Sequence, residues 1–95
     1  MCQIFAGQDP SRYECTTRSI RLNGQSTSVR LEAAYCDVLE EIAATDEISV
    51  AQFISKLHSE VLEIHGEARN FTSLLRCACL IHLQRVQLSP QIAAE

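Results

Sequence analysis

The sequence predicts an α+β fold, mostly α, in which a β-hairpin leads without a linker into a series of helices. Two observations carry this. Residues 17–31 alternate polar and apolar side chains on either side of Asn23-Gly24, the favoured pair for a two-residue hairpin turn. From Leu31 the apolar period lengthens from two to about 3.6 residues, with Leu31, Tyr35, Val38, Leu39, Ile42 and Ala43 spaced for one helix face.

The elements follow in order. Residues 1–16 read as an irregular arm, in which Asp9-Pro10 suits a cap followed by proline and predicts a short turn over 10–14. "TRSIRL" (17–22) and "QSTSVRL" (25–31) read as the two strands. A two-residue turn sets Leu22 against Gln25, Arg21 against Ser26, Ile20 against Thr27 and Ser19 against Ser28. Ile20, Leu22, Thr27, Val29 and Leu31 then share one face, and Ser19, Arg21, Ser26, Ser28 and Arg30 the other. A helix over 32–45 follows, with Glu32, Asp37, Glu40 and Glu41 as its outer face. Ser49 and Gln52 have capping-box spacing, which starts a second helix over 50–65, and Gly66 suits its C-terminal cap. Asn70 suits the cap of a third helix over 71–87, and "SPQIAAE" reads as a tail. The third helix is apolar around most of its circumference, a pattern of burial that a short chain supplies by pairing with a second copy.

At 95 residues the chain reads as one domain: arm 1–16, hairpin 17–31, two helices across 32–65 and a third over 70–87. A hydrophobic fraction of 46% fits a folded chain and excludes disorder. No apolar run approaches the roughly 18 residues of a membrane span, and the first residues lack the basic-then-apolar order of a signal peptide. Five cysteines, an odd number, do not form a secreted disulfide framework, so reduced thiols in the cytoplasm are the expectation. The net charge of −4 argues by itself against a nucleic-acid partner, but it is unevenly spread. Residues 1–31 carry a net of +2, residues 32–69 a net of −7 and residues 70–95 a net of +1. Positive charge therefore gathers in the hairpin, which permits a polyanionic partner there.

Candidate sites are few. By alternation alone, Ser26, Ser28 and Arg30 suit the solvated face of a half-buried sheet as well as a binding face, and Arg21 suits phosphate or solvent equally. Cys77 and Cys79 lie about 200° apart around a helix and do not chelate one ion. Cys79 and His82 share a face but are too few for a structural zinc site, and His58 and His65 are again only two. Buried thiols and surface histidines are the plainer reading, with no metal or cofactor. No Ser/His/Asp set, phosphate loop or carboxylate pair supports an enzyme.

Residues 26–64, "STSVRLEAAYCDVLEEIAATDEISVAQFISKLHSEVLEI", resemble a ribbon-helix-helix core. The wider stretch, from "CQIF" through "HGEARNFTSLLR", is similar to a bacterial subfamily of short ribbon-helix-helix proteins with an N-terminal hairpin extension. The resemblance implies an interlocked homodimer whose paired strands lie in the major groove of double-stranded DNA. It implies a transcriptional regulator, a repressor. It makes Ser26, Ser28 and Arg30 the base-contacting residues and turns Thr27, Val29 and Leu31 inward. The helix N-terminus that holds a phosphate in the family falls at Ile48, Ser49 and Val50. Arg21 is a candidate phosphate contact from its place on the same hairpin face and not from the resemblance. Many members carry an aromatic pair where this chain has Tyr35-Cys36, a departure in the core and not on the DNA face. Physical chemistry agrees: a two-stranded ribbon fits a groove about 12 Å wide, and arginine pairs with guanine O6 and N7. The extra strand 17–22 raises a width problem, since a dimer would then have four strands at about 4.8 Å each. The alternative is a protein-interaction module on the same dimer scaffold, docking a partner through the third helix or the N-terminal arm.

Overall fold

The computed structural model describes residues 2–22 and 24–94, with the side chains of 3–22 and 24–87. The alternating stretch forms two antiparallel strands, β1 (Cys15–Leu22) and β2 (Gln25–Glu32). Their register runs from Leu22↔Gln25 through Ser19↔Ser28 to Cys15↔Glu32, as the two-residue turn requires. Asn23 lies outside the described residues; Gly24 follows it at φ 82, a left-handed conformation that glycine adopts without a Cβ clash. Both strands exceed the predicted bounds, because pairing continues past the alternating segment to Cys15 and Glu32.

The arm is more regular than its composition suggests. It holds a short helix, α1 (Cys2–Ala6), and a 3-10 turn over Pro10–Tyr13. The Asp9 carboxylate accepts hydrogen bonds from the Ser11 backbone N–H and hydroxyl, both at 3.0 Å, which starts the turn. Those bonds, the backbone one first, hold the Asp9 carboxyl below its usual value. Ala33 N donates to Glu14 O at 2.8 Å and ties the end of the arm to the start of the next helix. Five residues carry too little periodicity for α1 to be read from sequence.

Helix α2 spans Ala33–Thr45, starting one residue later than predicted. Glu32 stays extended, at ψ 146, and ends the strand. Helix α3 spans Val50–His65, with the Ser49–Gln52 capping box formed in both directions and Gly66 at φ 78 closing its end. Helix α4 spans Phe71–Ala94 and runs through the segment predicted to be a tail. Asn70 precedes α4 as predicted, but at φ 52 it is left-handed, and its carbonyl accepts from Leu74 N with no side-chain cap bond among the described residues.

The inward hairpin residues Ile20, Val29 and Leu31 join Leu39 of α2, Val50 and Ile54 of α3, and Leu75 and Cys79 of α4 in one core. Helix α2 packs on both α3 and α4, α3 lies against β1, and α4 reaches β2. Every strand and each of these three helices thus buries a residue behind the hairpin, which leaves the opposite sheet face open. Thr27 departs from its expected inward packing: it is exposed, although its cross-strand partner Ile20 is buried.

Candidate nucleic-acid interface

The sheet face turned away from the core carries Thr17, Ser19 and Arg21 from β1 beside Ser26, Ser28 and Arg30 from β2. All six are exposed. They meet as cross-strand pairs: Thr17↔Arg30, Ser19↔Ser28 and Arg21↔Ser26. Directly opposed residues lie about 4.5–5.5 Å apart at Cβ, so the six form one continuous polar patch. Every one offers a hydrogen-bond donor, and two are cations. Neither Arg21 nor Arg30 has an ion-pair partner among the described residues.

Arg18 shows what an arginine of the same strand does on the other face. It shares the side of Ile20, is half-buried, and pairs with Glu40 of α2 at 3.6 Å, with its Nε buried and without a hydrogen-bond partner. The alternation of "TRSIRL" already places Arg18 beside Ile20, which is the signal that could have identified it. A second feature had no sequence signal, because its members are 44 positions apart. Glu32 accepts bonds from Arg76 Nε at 3.1 Å and Nη2 at 3.3 Å. The guanidinium also sits 5.9 Å from the Tyr35 ring centroid. These bonds hold the Glu32 carboxyl below its ordinary 4.5 and raise the arginine. Glu32 is therefore an anchor between β2 and α4 and not part of a solvated outer face.

The N-terminus of α3 is more occupied than its sequence suggests. Ile48 N donates to Ala43 O at 3.1 Å, and Ser49 N to Gln52 Oε1 at 2.8 Å. The Ser49 hydroxyl in turn accepts from Gln52 N. Val50 and Ala51 retain free backbone N–H groups among the described residues, while the Val50 side chain is buried in the core. Of the three positions, Val50 alone keeps the donor that a phosphate needs.

The thiols and imidazoles are dispersed. Cys36 and Cys79 are buried, whereas Cys15 and Cys77 are exposed, so Cys77 is not the buried thiol its sequence neighbourhood suggests. His58 and His82 are half-buried and not at the surface: His58 packs edge-on against Phe71 at 5.0 Å, and His82 faces Glu41 at 3.6 Å. Among the described residues no group of three or more His, Cys, Asp and Glu side chains comes together to hold a metal. No described helix is long and apolar enough to cross a membrane.

A hairpin with an open polar face, backed by α2 and a capped α3, defines the ribbon-helix-helix class. The ribbon-helix-helix domain family matches residues 15–83, and the chain belongs to that family. Its members are in general non-enzymatic, DNA-binding regulators of transcription that bind as dimers. Among solved structures, the chain is similar to an uncharacterized protein from Bordetella pertussis Tohama I, at 47% identity and a TM-score of 0.87. That similarity covers 100% of this chain and 75% of the other. No curated protein matches the chain.

Proposed function

We propose that this protein is a homodimeric, sequence-specific DNA-binding repressor acting in the cytoplasm, whose β2 strands pair across the dimer and enter the major groove. One observation carries the reading: Ser26, Ser28 and Arg30 stand exposed on the open sheet face, with the Arg30 guanidinium unpaired among the described residues. Arg30 would bind guanine O6 and N7 with two hydrogen bonds, and the serines would pair with base edges beside it. Arg21 and the free N–H of Val50, at the α3 N-terminus that Ser49 caps, would hold phosphates. Selection from genomic fragments, followed by binding at several salt concentrations, tests this. A preferred sequence should emerge, and affinity should fall steeply with salt. Arg30→Ala should cost about 1–3 kcal/mol and relax preference at one base position. Failure to enrich any sequence would sink the proposal.

A second reading rests on α4. Leu80, Ile81, Leu83 and Val86 are 51%, 56%, 43% and 48% exposed, apolar surface that fits docking of another protein. Pull-down with a dimeric variant truncated before Leu80 separates the two, since retained partner binding removes α4 as the docking surface.

A further inference from the structure

We infer that β1 is a phosphate clamp: Thr17 and Ser19, together with Arg21, grip the DNA backbone on either side of the strands that read bases. The inference rests on the proposed pairing of β2 with its copy. That pairing places the strands in the order β1-β2-β2-β1, with the two-fold axis between the β2 strands. Three strand spacings then separate the two β1 strands, about 14 Å. The major groove is about 12 Å wide. The β2 strands fit inside it, and the β1 strands fall over its two walls, where the phosphates are. The additional strand therefore widens the contact onto the backbone and leaves the centre of the ribbon free to enter the groove.

The chemistry of the β1 face suits that position. Thr17, Ser19 and Arg21 alternate along one side of the strand, are all exposed, and supply two hydroxyls and a guanidinium. Hydroxyl and guanidinium donors are the side chains that most often meet phosphate oxygens, and such contacts fix register without reading sequence. Each also has a base-reading residue as its cross-strand partner, Arg30, Ser28 and Ser26 respectively. Backbone contact and base contact are thus coupled pairwise through one rigid ladder. The one acid at the same alternation, Glu32, is held by Arg76 and does not stand as a free carboxylate against the phosphates. Arg18, on the opposite face of β1, is committed to Glu40.

The test uses the full chain, a duplex obtained by selection, and a scrambled duplex of equal length. Thr17→Ala combined with Ser19→Ala should weaken both duplexes by a similar factor, at least on the order of tenfold, since the dimer loses four hydrogen bonds to charged phosphates. The ratio of affinities for the two duplexes should not change. Arg21→Ala should lower the slope of log affinity against log salt by roughly 2 in the dimer, one phosphate per protomer. Unchanged thermal unfolding and dimer mass show that the variants fold. Two results overturn the inference while DNA binding stands: no loss with either variant, which puts β1 away from the DNA, or a changed affinity ratio, which makes β1 a base-reading strand. Absence of salt-dependent DNA binding in the unsubstituted protein overturns the underlying reading itself, and is thereby distinguished.

Discussion

Burial separates the thiols of one helix. Cys79 lies in the core, its Sγ 3.7 Å from Tyr35 O, and burial, with Cys36 as a smaller cause, pushes its thiol up to about 11. Cys77, two positions earlier on α4, is exposed. The thiolate is the reactive form, so native protein treated with an alkylating agent near pH 8 should modify Cys15 and Cys77 and spare Cys36 and Cys79 until it unfolds. Peptide mapping by mass spectrometry reads this out; rapid labelling of Cys79 in folded protein would contradict the packing. The helical spacing of Cys77 and Cys79 already put them on opposite sides of a helix, so their separation was legible in the sequence. Which of the two points inward was not, because apolar residues flank both. The outward face of the hairpin was legible for the opposite reason: Ser and Arg alternate with Ile, Val and Leu, and only one pleat assignment buries the apolar set.

At the scale of elements, local signals were read and long-range ones were not. The capping box of α3 and Gly66 at its end depend on residues within a few positions, and the structure places both as their spacing indicates. The end of α2 is different. Glu47 N donates to Ala44 O and Ile48 N to Ala43 O, both at 3.1 Å, a Schellman closure with Glu47 at the left-handed position, φ 55. Glycine usually fills that position and would have signalled the stop; a glutamate hides it. Glu47→Gly should therefore stabilise the fold by about 1 kcal/mol, since an L-residue pays a steric cost there that glycine does not. Chemical denaturation of both proteins decides it, and a loss of stability would show that the Glu47 side chain makes a compensating contact. The junction of β2 with α4 gives a pH-dependent prediction. The Glu32 carboxyl is held below its ordinary 4.5, chiefly by the Arg76 hydrogen bonds. A carboxyl depressed on folding adds stability above its unfolded value and loses it as pH falls through the folded one. The unsubstituted protein should thus unfold at a higher temperature than Glu32→Gln at pH 7, and the difference should shrink as pH falls below 4.5. A gap that stays constant with pH would assign the effect of the substitution to packing.

At the scale of the molecule, the fold of one chain leaves apolar surface that its own elements do not cover. Leu80, Ile81, Leu83 and Val86 of α4 stay exposed, as do Ile4, Phe5 and Tyr13 of the arm. The sequence showed α4 to be apolar nearly all round, but intramolecular packing accounts only for the side that carries Leu75 and Cys79. The remainder depends on contacts between molecules, which periodicity within one chain does not specify. Small domains bury a smaller share of their surface than large ones and commonly gain stability by association. The two-stranded hairpin has the same need, since an isolated pair of strands is marginal in water and both of its outer edges are open. Pairing of β2 with its copy would satisfy one of those edges in each chain and cover Thr27. Folding should then be coupled to dimerisation. The unfolding midpoint should rise as protein concentration rises from about 1 μM to 100 μM, as mass action requires when the native state is a dimer. Sedimentation equilibrium over the same range should give twice the mass of one 10.6 kDa chain. A midpoint independent of concentration, together with a monomer mass, would remove the shared ribbon and leave each hairpin to act alone.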